Sequence, residues 1–267
     1  MAVANAVPSL RRHADLVLDR PNGAGVATLL TSQLMTGEQV LRPQRRRVPV
    51  GSFPDGTPAT VPGAQANVLI CGGTGVGKSY VAGLLVEQWT GAAYSVLILD
   101  MEGDYVGLDR LDNVVVLSDK LPEAREVLAM LHQQALSVVL DLSGRARETR
   151  MDYLRGLPLV LEAERAAYGM PHWLVIDEAH ETFAEGAIGA TVLRPADRGY
   201  CFVTYRPEQL CAELLATIDV TITATGPAAI GDRGSSIGAA TASLREARPP
   251  ERSFTVASRR TPHVRHL

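Results

Sequence analysis

"NVLICGGTGVGKSYVAGLL", residues 67–85, decides the fold. A short apolar run, Asn67–Cys71, reads as a buried strand, and apolar residues at helical spacing resume after Ser79. Between them Gly72, Gly73, Thr74, Gly75, Val76, Gly77, Lys78 and Ser79 fit the pattern G-x-x-x-x-G-K-S. Glycines let successive backbone N–H groups turn inward around phosphate oxygens. Lys78 is placed to reach the β and γ phosphates, and Ser79 opens the helix and offers a hydroxyl to Mg²⁺. The helix N-terminus adds partial positive charge. The strand before and the helix after supply the context the motif requires, so residues 72–79, with the adjoining Tyr80, are expected to bind a nucleotide.

Outward from this loop the chain alternates short apolar runs with amphipathic stretches. Strands are expected at 95–100, 113–118, 137–143, 173–176, 199–205 and 219–226, and helices at 80–90, 121–136 and 148–169. Near-continuous apolar strands separated by helices imply a mainly parallel sheet with both faces covered. Upstream, "VPVGSFPDGTPATV" has hairpin chemistry with a turn near Asp55-Gly56. The expected class is therefore α/β, a P-loop NTPase sheet flanked by helices with a small N-terminal β element. Three regions are expected: an N-terminal segment, 1–48, a P-loop core, 49–226, and a C-terminal arm, 227–267, with one strand at 253–258. Within the first, "VATLLTSQLMTGEQVL" reads either as a helix or as a strand pair, and the segment as a vestigial barrel or an arm.

A second motif, "HWLVIDEAH" at 172–180, runs four apolar residues into Asp177 and Glu178, about a hundred residues after the glycine loop. That is what a Walker B strand needs. Asp177 is expected to hold the magnesium through water, and Glu178 to orient and deprotonate an attacking water.

Bulk properties bound the rest. A chain of 267 residues with 46% hydrophobic content can bury a real core. The net charge of −3 argues neither for nor against a polyanion partner. Cys71, Cys201 and Cys211 are scattered and odd in number, which suits buried thiols in a reducing compartment. No apolar run approaches the ~20 residues of a membrane helix, and the start lacks a signal-peptide core. The expectation is a cytoplasmic protein with no membrane partner.

The letters "DEAH" resemble DEAH-box helicases over Asp177–His180 alone; the second RecA-like half and the Ser-Ala-Thr motif of that family have no counterpart. A broader resemblance covers residues 48–226. The hairpin and glycine loop resemble the start of the HerA–FtsK superfamily ATPase core, the HerA branch above all. "ILDMEGDY" is similar to that branch's D-p-x-G-E-Y element through Asp100, Gly103, Asp104 and Tyr105. "WLVIDEAHETF" is similar to its Walker B, and "YCFVTYRPEQL" to its T-Q-R-P-s-x-L element through Thr204, Arg206, Pro207 and Leu210. Tyr205 stands where the family has a glutamine that senses the γ-phosphate.

The resemblance implies a RecA-like fold, ATP and Mg²⁺ as ligands, and an ATP-hydrolysing motor that moves double-stranded DNA through a homo-hexameric ring. It also implies an arginine supplied by the neighbouring subunit; Arg194 and Arg198 are the candidates, and the motif spacing leaves both open. Tyr205 keeps a different class in view, an ATP-binding regulatory or scaffold ring for a nuclease or other partner protein, with slow hydrolysis. Remaining signals are weaker. "GSSIG" at 234–238 lacks the strand a nucleophile elbow needs, His263 and His266 form only half a metal site, and "RPQRRR" at 42–47 reads as a solvated or linking basic cluster or a phosphate-contacting one.

Overall fold

A computed structural model describes residues 1–14, 16–36, 47–133, 136–184, 198–227, 240–246 and 252–256. The chain divides into two compact units, Met1–Arg47 and Val48–Leu267. The first unit is helical: α1 (Pro8–His13), α2 (Asn22–Leu30) and α3 (Gln33–Thr36). The ambiguous stretch from Val26 is therefore helix where it is described, not a strand pair. Within this unit an isolated bridge joins Ala2 to Val17, and Asn5 and Asn22 bond each other through their side-chain amides.

The second unit contains the sheet. A hairpin of β1 (Arg47–Ser52) and β2 (Pro58–Pro62) turns where expected, with the Asp55 carboxylate accepting the Thr57 N–H at 3.0 Å. Then come β3 (Asn67–Cys71), α4 (Lys78–Gly91), β4 (Val96–Asp100), β5 (Val114–Leu117), α5 (Ala124–Leu131), β6 (Ser137–Asp141), α6 (Arg147–Tyr168), β7 (Trp173–Ile176), α7 (Ala179–Phe183), β8 (Tyr200–Thr204) and β9 (Val220–Pro227). Two further strands, β10 (Ala240–Glu246) and β11 (Arg252–Val256), follow. The sheet order is β2-β1-β11-β10-β9-β3-β8-β7-β4-β6-β5. From β9 to β5 all observed pairings are parallel. β10 and β11 add antiparallel strands beside β9, and Ser52 of β1 pairs with Thr255 of β11. The described part of the tail thus extends the sheet; the strand expected at 253–258 is β11, and β10 was not anticipated.

Period-2 alternation assigns each strand's side chains to opposite faces. Val68, Ile70, Val96, Ile98, Trp173, Val175, Cys201 and Val203 belong to one buried cluster with α4 and the hairpin. Leu69, Leu97, Leu99, Leu174, Ile176, Tyr200 and Phe202 belong to the other, under α5, α6 and α7. Both faces being covered is why these strands read as unbroken apolar runs. α5 starts on a capping box between Glu123 and Glu126 and is shorter than its amphipathic stretch. All three cysteines are buried and free. No helix among the described residues is long and apolar enough to cross a membrane.

The amino ends of β4 and β7 are joined by His172, whose Nδ1 accepts the Ser95 N–H at 3.0 Å. Burial first, and then the positive charge of Arg165, hold this imidazole below its ordinary value. The folded value lies below the unfolded one, so the stability His172 contributes is complete above about pH 6.5 and drains as pH falls through the folded value. His172→Asn, whose amide oxygen can accept the same bond, is expected to lose less stability than the wild type between pH 7 and pH 5. Chemical denaturation at the two pH values measures it; identical losses would show that His172 does not titrate against folding.

Candidate functional site

The parallel register brings the carboxyl ends of the strands to one edge. Cys71 pairs with Thr204, Ile176 with Phe202, Leu99 with Ile176, and Asp100 with Asp141. The glycine loop, the 101–105 segment, Asp177–Glu178 and Tyr205 all emerge there, with β8 lying between β3 and β7.

The cradle is built on backbone conformations that only glycine adopts freely. Gly72, Gly75 and Gly77 have φ of +142°, +75° and +94°. A Cβ on Gly72 would also collide with the Ala224 carbonyl of β9. Gly77 caps α4, Thr74 is exposed, and the Val76 side chain closes over Gly72. Lys78 is buried, and its Nζ donates to the Gly73 carbonyl at 2.9 Å, inside the loop. Tyr80 packs partly buried against the core beneath the loop.

Asp100 organises the next segment. Its Oδ1 accepts the N–H groups of Glu102, Gly103 and Asp104, at 3.3, 2.7 and 3.1 Å, and its Oδ2 that of Tyr105 at 2.9 Å. Burial, helped by the charge of Asp141, raises its carboxyl against the lowering pull of the Tyr105, Gly103 and Asp104 N–H groups. The segment so folded presents Asp104, whose Oδ2 accepts the Ser79 hydroxyl at 2.5 Å. Gly103, at φ +83°, makes the turn. The two aspartates flanking a glycine in "DMEGDY" are the signal that the sequence carries for this element.

Asp177 and Glu178 follow β7. Asp177 is 2% exposed, its N–H bonds the Leu99 carbonyl, and its Oδ2 has no hydrogen-bond partner. Burial, then the charges of Asp100 and Glu178, push its carboxyl up to about 8. Glu178 sits at φ +45° as the cap of α7. Burial and then Glu102 raise it to about 7 against the opposing pull of Lys78. Glu178 Oε2 lies 3.0 Å from His180 Nδ1, which also lies 3.1 Å from Thr204 Oγ1.

Tyr205 is at the same edge. Its ring meets His180 edge-on at 4.8 Å, Lys78 Nζ lies 5.7 Å from its centroid, and the Arg206 guanidinium lies 4.8 Å away over the ring. Arg198 is elsewhere. It precedes β8, at the amino edge of the sheet, where it bonds Asp219 Oδ2 at 2.8 Å and the Thr217 carbonyl. Arg194 lies outside the described residues, as do residues 42–46 of the basic cluster, 234–238, His263 and His266.

The residues fit a nucleotide with a divalent cation. Asp177 offers an orphaned, buried carboxylate oxygen, and Ser79 a hydroxyl already held by a carboxylate. Among the described residues no three His, Cys, Asp or Glu side chains could hold a metal unaided.

Residues 64–157 match the model of the "Helicase HerA, central domain" family. That stretch, about a third of the chain, is similar to the HerA central domain. Comparison with curated proteins finds no match. Among solved structures, VirB4 of Thermoanaerobacter pseudethanolicus superposes with a TM-score of 0.50 at 11% identity, over 80% of this chain and 96% of that one. The cytoplasmic domain of the Thermomonospora curvata type VII secretion ATPase EccC gives 0.48 at 18% identity, over 81% of this chain; this chain spans 29% of that one. The genome packaging NTPase B204 of Sulfolobus turreted icosahedral virus 2, in complex with AMPPCP, gives 0.44 at 18% identity, over 60% and 74%. The VirB4 superposition supports the same sheet-and-helix fold, and the match over residues 64–157 supports an ATPase.

Asp100→Asn tests the segment that carries Asp104. The amide would turn a donor toward one or more of the four N–H groups, so the variant is expected to lose about 1–3 kcal/mol of stability. It should also weaken Mg²⁺-dependent binding of a fluorescent ATP analogue more than Mg²⁺-free binding. Equal affinity in the presence of magnesium would separate this segment from the metal site.

Proposed function

We propose that the chain is a ring-forming, ATP-driven motor acting on double-stranded DNA. The observation that supports it most is the arrival of Lys78, Ser79, Asp177 and Glu178 at one sheet edge, within a core of HerA type. Lys78 exchanges the Gly73 carbonyl for a phosphate oxygen. Ser79 and Asp177 would hold magnesium, which would supply positive charge to screen the phosphates. Glu178 accepts the proton of the attacking water, and its carboxyl near 7 is poised for that transfer at neutral pH. A homo-hexamer with the site at the subunit boundary lets an arginine, Arg194 or Arg198, complete it from the neighbour. Of the two, Arg198 is engaged by Asp219 within its own subunit, which favours Arg194. The buried, free thiols suit a cytoplasmic setting.

A regulatory or scaffold ring with slow turnover, serving a nuclease or another partner protein, is the second reading. Tyr205 in the sensor position favours it. ATPase rates with and without duplex DNA separate the two: stimulation supports the motor, and slow DNA-indifferent turnover supports the scaffold.

Glu178→Gln is expected to bind ATP and to hydrolyse it ~10²–10⁴-fold more slowly. Lys78→Ala should lose tight binding or turnover while remaining folded. An arginine supplied in trans is worth ~10³–10⁵ in rate, so Arg194→Ala should bind normally and turn over poorly. Mixed with Glu178→Gln, it should regain activity at interfaces that hold one intact base and one intact arginine. Mixtures that stay inactive despite demonstrated subunit exchange would rule out a shared site built on Arg194.

A further inference from the structure

His180 is nearly buried, and its Nδ1 has two neighbours: Glu178 Oε2 at 3.0 Å and Thr204 Oγ1 at 3.1 Å. A neutral imidazole nitrogen serves one hydrogen bond at a time. Thr204 Oγ1 already accepts the Arg206 N–H at 3.0 Å, whereas Glu178 Oε2 is buried and, though 3.0 Å from Nδ1, makes no hydrogen bond as it stands. The carboxylate therefore has the greater need of the Nδ1 proton. A small turn of the imidazole from Thr204 toward Oε2 would pin that oxygen and leave Oε1 to take a proton from water.

The imidazole must itself be held in place. Tyr205 meets it edge-on at 4.8 Å, and the same ring lies near Lys78 and under Arg206. An edge-on aromatic contact fixes ring orientation through the quadrupole and needs no phenol oxygen. A glutamine at 205 cannot supply it.

We propose that His180 is the positioning residue of Glu178, and that Tyr205 is retained as the aromatic wall that orients His180. The inference rests on Glu178 being the base of the proposed ATPase reaction. It gives Tyr205 a role in aligning the base, distinct from the polar γ-phosphate contact implied by the family's glutamine. It also links the phosphate-binding lysine to the base through one ring, because movement of Lys78 toward a phosphate changes what packs on Tyr205.

The test is steady-state ATPase kinetics with magnesium, accompanied by thermal melting and ATP-analogue affinity. Misplacing a catalytic group costs up to about 10²-fold. His180→Ala is expected to lower kcat on that scale with KM and affinity little changed. His180→Asn, whose amide can donate from near the Nδ1 position, should recover a large part of the loss. Tyr205→Gln should fall toward the His180→Ala level, and Tyr205→Phe should lose several-fold less than Tyr205→Gln. The double variant His180→Ala/Tyr205→Gln should be no worse than either alone, since both remove one device. Additive losses, a Tyr205→Phe defect as deep as Tyr205→Gln, or a folded His180→Asn no better than His180→Ala would each overturn the proposal. Glu178→Gln run alongside separates the failures: undiminished turnover there removes the base itself, whereas a dead Glu178→Gln with unaffected His180 variants removes only this inference.

Discussion

Asp100, Asp177 and Glu178 are carboxyl groups buried near one another at the carboxyl edge of a parallel sheet, and the site depends on how their charge is met. Asp100 is met by four backbone N–H groups, and its cost is converted into a rigid turn. Asp177 is met only in part, by the Glu178 N–H; its Oδ2 has no partner, and burial and its carboxylate neighbours hold it up to about 8. Adding one more carboxylate, Asp104, on the Ser79 hydroxyl deepens the same deficit of positive charge. On the proposed function, a divalent cation brought by phosphates in the adjoining cradle would relieve all of these at once. Coupling between nucleotide and metal thus follows from electrostatics already present in the fold.

The opposite edge of the sheet does different work. Asn67, Arg198, Thr217 and Asp219 form a polar clip there. Asn67 N–H donates to Asp219 at 2.9 Å, Tyr200 N–H donates to Asn67 at 3.1 Å, and Arg198 reaches both Thr217 and Asp219. These contacts fix the relative register of β3, β8 and β9. Register at the amino edge decides which residues stand side by side at the carboxyl edge, because a parallel ladder transmits any slip along its whole length. The clip is therefore part of how Thr204 comes to face Cys71, and how Tyr205 comes to lie beside Lys78.

The order of strands and helices in the core was legible because both sheet faces are covered, so each strand appears as an unbroken apolar run between glycine, proline and charge. The glycine loop was legible because its chemistry is local: three positive-φ glycines, a lysine and a serine in eight residues. What the sequence left obscure is non-local or weakly patterned. The N-terminal unit is helical, although its apolar spacing over Val26–Leu30 and Gln33–Thr36 suits either reading. β10 has alanine, serine and threonine at most positions, too little hydrophobic contrast to mark a strand, and its place comes from pairing with β9. The partnership of Asp104 with Ser79 joins residues 25 apart in sequence through a turn whose folding depends on Asp100.

Tyr205 shows why a departure from a motif is a question about neighbours. Compared by residue type, a phenol in place of an amide is a loss of a two-sided hydrogen-bonding group beside the phosphates. In the fold the position is surrounded by an imidazole edge and two cations, Lys78 and Arg206, all of which favour an aromatic face. The imidazole in turn stands between Glu178, two residues past β7, and Thr204, the last residue of the neighbouring β8. A glutamine would satisfy none of the three contacts in the same way. The substitution is thus better described as a change in how the edge is held together than as damage to a sensor: an aromatic wall beside His180 stands where the family's glutamine implies a polar γ-phosphate contact.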